Sequence, residues 1–287
     1  MKDLRLFAVV FRLAAIRPGA VPAQHGDQAR AALLELIRQG DFPLASRIHD
    51  ENARKPYTIS LLRGGKLDRR SDPANGAHHF GEGDAAEWRF TLLGEPAFEA
   101  LLRRYLLSRA LPHVRIGAVE FAIVDAFASG NSHADSGHVS IAELEARYSG
   151  PPEQLPGHVT LDFQTPTLFS LGTDAVTGER RFRALPEPRL VFSSLRKRWL
   201  GLGGAAPGDA FDSWVSERVE AQPLSLSTRK MIVEGRPVTG FIGQVRFTVQ
   251  RDRQWLALIH LMADLTFWTG VGYQTTRGLG QVRRAAE

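Results

Sequence analysis

The stretch Gln254-Trp255-Leu256-Ala257-Leu258-Ile259-His260-Leu261-Met262-Ala263-Asp264-Leu265-Thr266-Phe267-Trp268 is followed, after Thr269, by Gly270-Val271-Gly272-Tyr273-Gln274-Thr275-Thr276-Arg277-Gly278-Leu279-Gly280 and then by Gln281–Arg284. Leu258, Leu261, Met262 and Leu265 recur at helical spacing, which predicts a helix with one apolar face over 254–268. A glycine-rich loop then feeds a short last strand. Upstream, 224–233 and 238–249 read as a hairpin around Gly235–Pro237, 188–200 as a helix and 159–163 as the start of a strand. The order of this half is β-α-β-β-α-β.

The first half has the same order. Residues 4–14 are β-rich and open the chain as a strand, and Ala29, Ala32, Leu33, Leu36 and Ile37 mark a helix that Gly40 stops. Strands follow at 57–62 and 88–93, a helix at 96–108, and a long strand or hairpin at 114–128. Residues 64–84, rich in Gly, Asp, Arg and His, form a hairpin tip. The expected fold is α+β: two tandem ferredoxin-like (β-α-β-β-α-β) domains with antiparallel sheets, at 1–128 and 158–287. The Gly- and Pro-rich stretch 129–157 is the expected linker, around a short element at 140–147. No residue-level repeat relates the halves.

With 43% hydrophobic residues the chain has material for a sizeable core, which excludes disorder as its dominant state. It has no cysteine, so disulfides, thiol nucleophiles and cysteine-ligated zinc are excluded. Lys+Arg outnumber Asp+Glu by 36 to 31, and only five of the basic residues are lysines. Arginine forks onto phosphate and stacks on bases, so the excess favours polyanionic partners, although genomic bias also enriches arginine. The apolar run Leu6–Phe11 is short and bracketed by Arg5 and Arg12, and Trp255–Ala263 ends at Asp264, well short of the ~20 residues of a membrane span. A cytoplasmic location is expected.

The C-terminal loop has the shape G-x-G-x₅-G-x-G. It follows a helix and carries Thr275 where a dinucleotide fingerprint needs its third glycine; it also lacks the Gly-Lys-Ser/Thr of a P-loop. Gly270, Gly272, Gly278 and Gly280 let the backbone approach a ligand and offer its amides, and Thr275, Thr276, Arg277 and Arg283 add donors for a polyanion. A wide structural turn has the same composition. The second feature is Leu44-Ala45-Ser46-Arg47-Ile48-His49-Asp50, followed by Lys55-Pro56-Tyr57-Thr58-Ile59-Ser60. It reads as a loop between helix and strand. Histidine exchanges protons near neutral pH and lysine supplies fixed positive charge, so His49 and Lys55 are candidate catalytic groups. A surface histidine beside a solvated lysine reads the same way. His25, at the mouth of the first helix, is a third candidate. His78-His79 and His133-x₄-His138 lie in glycine-rich segments with no helix to fix ligand geometry, so no metal and no cofactor are expected. Arg196-Lys197-Arg198 is a further basic cluster.

Together these features resemble the CRISPR-associated repeat-RNA-processing endoribonucleases of the repeat-associated mysterious protein (RAMP) superfamily. The glycine-rich loop after the last helix matches that superfamily's signature, and Leu44–Asp50 matches the context of its catalytic histidine. Lys55 and Tyr57-Thr58-Ile59-Ser60 match the lysine and aromatic-Thr-x-Ser strand that follow in some members. Phe163-Gln164-Thr165-Pro166-Thr167 and Leu185-Pro186-Glu187-Pro188-x-x-Val191-Phe192 match the second domain. Some members carry a catalytic tyrosine on the first helix; here that face offers Leu33, Leu34, Leu36 and Ile37 and no tyrosine.

The resemblance implies metal-independent cleavage of CRISPR repeat RNA by 2′-OH attack, giving 2′,3′-cyclic phosphate and 5′-OH ends. His49 would transfer a proton in either role. Lys55 would stabilise the phosphorane, because a lysine is a poor base at neutral pH. The loop residues would bind RNA. The implied partners are repeat RNA and other CRISPR effector subunits, the chain acting as monomer or homodimer. The alternatives are a non-catalytic RAMP-fold RNA-binding subunit and, more distantly, a mononucleotide-binding protein.

Overall fold

A computed structural model describes residues 4–50, 55–68, 76–107, 112–205, 207–250 and 253–286. Two units divide the chain: Met1–Val139 with Thr276–Gly278, and Ser140–Thr275 with Leu279–Glu287.

The first unit runs β1 (Arg5–Ala15), β2 (Gly19–Pro22), α1 (Gly26–Gly40), α2 (Phe42–Asp50), β3 (Tyr57–Ile59), β4 (Arg63–Gly64), β5 (Lys66–Asp68), β6 (Ala77–Phe80), β7 (Ala85–Leu93), α3 (Glu95–Leu107), β8 (His113–Ile116), β9 (Val119–Phe127) and β10 (Gly137–Ser140). Its main sheet has the order β3-β7-β1-β9-β8, with antiparallel pairs throughout. Without β8, this is the ferredoxin-like order. Strand β1 lies at the centre, and Arg5 and Arg12 are its only exposed residues. Helix α1 turns Ala29, Ala32, Leu33, Leu36 and Ile37 into a core with Phe11, Trp88, Phe90 and Phe121. Of the hairpin tip at 64–84, residues 69–75 lie outside the described residues, as does Ser108 of the helix expected at 96–108.

The second unit runs α4 (Ile141–Ala146), β11 (His158–Thr167), β12 (Phe169–Thr173), β13 (Arg180–Arg183), α5 (Pro188–Gly201), α6 (Asp209–Arg218), β14 (Val219–Val233), β15 (Arg236–Val249), α7 (Leu256–Thr269) and β16 (Val282–Arg284). Its sheet order, β14-β15-β11-β16, repeats that of the first. The β14–β15 hairpin closes on Glu234-Gly235, both at positive φ, as a two-residue turn of matching twist requires. Phe163, Phe192, Phe241 and Phe247 lie at the centre of a second core. The fold is thus the expected tandem ferredoxin-like pair.

Three stretches depart from the expectations. The segment carrying His49 is a helix, α2, and not a loop. Asp41 Oδ1 accepts the amide of Leu44 at 2.9 Å, capping the first turn, and Pro43 is tolerated there because amides of that turn have no helical partner. Leu44, Ala45 and Ile48 then bury one stripe. Helix α6 and the β12–β13 hairpin are additions to the second unit. Within 129–157, β10 pairs with β1, and Ser140 and Glu143 form a reciprocal capping box on α4.

Candidate active site

Helix α1 shows its outer stripe to α2. Asp27, Arg30, Leu34 and Arg38 follow one another at helical spacing opposite the buried stripe. Across from them α2 presents Ser46, His49 and Asp50, and a cleft of about 500 Å³ opens between the two helices. His49 is well exposed, and its Nδ1 lies 3.2 Å from Asp50 Oδ1. When Nδ1–H donates to this carboxylate, Nε2 is left for a ligand.

Lys55 is close to His49 through the backbone. Its ammonium donates to the carbonyl oxygens of Ile48 at 2.7 Å and His49 at 3.1 Å. These belong to the last turn of α2, whose carbonyls have no helical partner and whose dipole favours a cation. Lys55 therefore fixes the end of the helix that carries His49, a different role from the charge stabilisation expected of it.

The expectation that His25 is catalytic is corrected. His25 is fully buried. Its Nδ1 donates to the Pro22 carbonyl and its Nε2 accepts the Leu62 amide, both at 2.7 Å, so neither nitrogen can meet a substrate. Burial pushes its pKa down from 6.5 to about 4. A histidine whose folded pKa lies below its unfolded value costs stability as the pH falls between the two. The gap, at about 1.4 kcal/mol per pH unit, amounts to about 3 kcal/mol. Denaturant melts from pH 7 to 4 should therefore show this loss in the wild type. His25→Gln should be less stable at pH 7 and should show a shallower slope between pH 6.5 and 4.

His78 and His79 are neighbours on β6 and point to opposite faces. His133 stacks on Phe127 and lies 3.4 Å from Glu87.

Outside Thr276–Gly278, the glycine-rich loop is packed within the second unit. Gly270, Gly272, Gly278 and Gly280 all have positive φ. The amides of Val271, Gly272, Tyr273, Gly280 and Gln281 are spent on Gly280 O, Ser194 Oγ, Leu168 O, Pro166 O and Thr165 Oγ1. Thr275 is buried, and its hydroxyl accepts from Arg198 at 3.1 Å. Arg283 lies over the Phe267 ring at 5.3 Å. Thr276, Arg277 and Gly278 belong to the first unit. There the Arg277 carbonyl passes so close to Gly26, the first residue of α1, that a Cβ would collide with it. Arg277 Nε bonds Asp27 at 2.9 Å.

The glycines are thus required by the chain's own packing. A Cβ on Gly280, at φ +62°, would collide with the Val271 carbonyl. Gly280→Val should cost about 2 kcal/mol or more through backbone strain alone, and lower the Tm by about 4 °C or more. Scanning calorimetry checks this.

The basic cluster on α5 is also structural in part. Arg196 is buried and holds Asp212 of α6 with two bonds of 2.8–2.9 Å. Arg198 donates to Gly272 O and Thr275 Oγ1.

Sequence reasoning missed Arg30, Ser46 and Tyr57. Arg30 Nε donates to the Tyr57 hydroxyl at 3.2 Å. The spacing of Asp27, Arg30 and Arg38 on one helical stripe was a signal for the first; Tyr57 stood out only as the aromatic of the strand after Lys55, and nothing local marked it as a partner of Arg30.

Residues 161–282 match the family model of the CRISPR-associated endoribonuclease Cas6. The match lies in the second half of the chain. The likeness in fold extends further. A Cas6 product complex aligns with a TM-score of 0.77 at 23% identity, over 98% of this chain and 99% of that one. Cas6 of Thermus thermophilus gives 0.70 at 22% identity, over 99% and 100%. A RAMP protein described as binding different RNA substrates gives 0.58 at 15%, again over 99% and 100%. The whole chain therefore carries the Cas6 fold, both ferredoxin-like units included. No curated protein matches its sequence. Among the described residues, no helix is long and apolar enough to cross a membrane.

Proposed function

We propose that this Cas6-type chain processes CRISPR repeat RNA, cutting it by attack of the 2′-OH on the adjacent phosphate. The products are a 2′,3′-cyclic phosphate and a 5′-OH, and no divalent ion is needed. The observation that carries this reading is His49: an exposed imidazole on α2, facing a cleft edged by arginines. Transesterification of RNA needs a proton acceptor at the 2′-OH, a donor at the leaving 5′-oxygen and positive charge near the phosphorane. His49 moves the proton, Lys55 holds the helix end beneath it, and His25 takes no part. The loop residues Thr276 and Arg277, with Arg283, are proposed RNA contacts outside the chemistry; Gly270, Gly272, Thr275, Gly278 and Gly280 shape the loop that presents them.

Incubating the protein with its repeat RNA and mapping the new ends tests the reading. A single cut with a 2′,3′-cyclic phosphate is expected. Tight binding without cutting would move the chain to the class of non-catalytic RAMP-fold subunits that hold guide RNA in an effector complex.

A further inference from the structure

Three carboxylates line the His49 cleft, and each has its own partner. Asp27 takes Arg277 at 2.9 Å, Glu35 takes Arg38 at 2.6 Å, and Asp50 takes His49 at 3.2 Å. Bonding to Arg38 holds the Glu35 carboxyl below its ordinary pKa, so that pair is charged on both sides at neutral pH. Arg30 also lines the cleft, but among the described residues no carboxylate pairs with it. Its partner is the Tyr57 hydroxyl.

We propose that Arg30 contacts the scissile phosphate and that Tyr57 is its positioning residue. The proposal rests on the reading of this cleft as the RNA-cleaving site.

A carboxylate would orient a guanidinium and cancel its charge. A neutral phenol orients it and leaves the charge in place. Tyr57 suits this role because it is 1% exposed on β3, which is paired to β7, so its hydroxyl has little freedom. Burial also pushes the phenol pKa up, against the pull of Arg30 and Arg277, which keeps it neutral. Because Arg30 spends Nε on the phenol, its two terminal nitrogens remain as a fork that matches two phosphate oxygens. The phosphorane carries more charge on those oxygens than the ground-state diester does. A guanidinium fixed beforehand therefore gains more in the transition state than in binding, and acts on kcat. This arrangement fills the role left open by Lys55, whose ammonium caps α2.

The test compares Arg30→Ala, Arg30→Lys, Tyr57→Phe and the Arg30→Ala/Tyr57→Phe double variant. The readouts are kcat and KM on repeat RNA, Tm, and the salt dependence of binding to the same RNA with a 2′-deoxy nucleotide at the cut. Arg30→Ala should lower kcat by about 10²–10³ with KM within a few fold. Arg30→Lys, which keeps the charge but not the fork, should fall between it and the wild type. Tyr57→Phe, which removes one oxygen, should lower kcat about tenfold. The double variant should be no slower than Arg30→Ala, because the phenol acts only through the guanidinium. Additive losses, or a Tyr57→Phe variant altered in Tm alone, would overturn the positioning role.

The salt series separates the two readings. Loss of one phosphate contact in Arg30→Ala lowers the slope of log affinity against log salt by about 0.7. If the wild type does not cut RNA yet this change appears, the phosphate contact stands and the cleavage reading falls. If the wild type cuts and Arg30→Ala changes neither rate nor slope, the proposal falls and the cleavage reading stands.

Discussion

His49→Ala is expected to slow cleavage of repeat RNA by about 10²–10⁴, the usual contribution of a positioned proton-transfer group. RNA affinity should stay within a few fold. The two readouts separate because of where the side chain sits. Its relative exposure is 70%, and its polar partner among the described residues is the equally exposed Asp50. Truncation therefore opens no cavity and strands no buried polar atom, so fold and Tm should be kept. The arginines that edge the cleft are untouched, so ground-state binding should persist. Single-turnover rates with saturating enzyme, beside a binding isotherm on uncleavable RNA, make the measurement. A variant that cuts at the wild-type rate would remove the cleft from the chemistry altogether, since His25 is sealed in the core and Lys55 is occupied at the end of α2.

A 2′-deoxy substitution on the 5′ side of the cut should abolish cleavage, whereas EDTA should leave the rate unchanged. The nucleophile in the proposed route is the RNA's own 2′ oxygen, held next to the phosphate it attacks. Intramolecular attack of that kind draws on an effective concentration that no external water matches. Removing the oxygen removes the nucleophile, so the expected loss exceeds that of any single side chain. A competent 2′-deoxy substrate would point to attack by water, and a rate that collapses in EDTA and returns with a divalent cation would point to a metal-bound one. The uncut substrate should bind as tightly as the natural one, because the hydroxyl contributes little to phosphate contacts.

The structure alters how the basic residues are assigned. Arg277, expected as an RNA contact, is partly committed to Asp27, and Arg196 is held by Asp212 and Asp209. Positive charge in the sequence is thus a poor guide to positive charge available to a ligand, because buried or paired arginines also hold helices and loops in place. The glycine-rich loop makes the same point for the backbone. Its glycines mark a close approach, but the approach observed is of the chain to itself.

The two β-α-β-β-α-β halves were legible because their signals are local. The alternating strands and the apolar stripe of α1 each lie within a dozen or so consecutive residues, and the pairing order then follows from burying those stripes against sheets. His49 was legible through its immediate neighbours. Helix α2 was not, because Pro43 and the preceding Gly40 and Asp41 read as a break, while the cap that rescues the helix is a single Asp41–Leu44 bond. The partners of the functional side chains lay beyond reach for a plainer reason. Tyr57 meets Arg30, Asp27 meets Arg277 and His25 meets Leu62 across long stretches of chain. The sequence by itself determined the two main sheets, the helices α1, α3, α5 and α7 packed on them, and one candidate histidine. Only the tertiary structure decided which cations are neutralised, which histidine is buried and which arginine keeps its charge, because desolvation and pairing depend on what folding brings within a few ångströms.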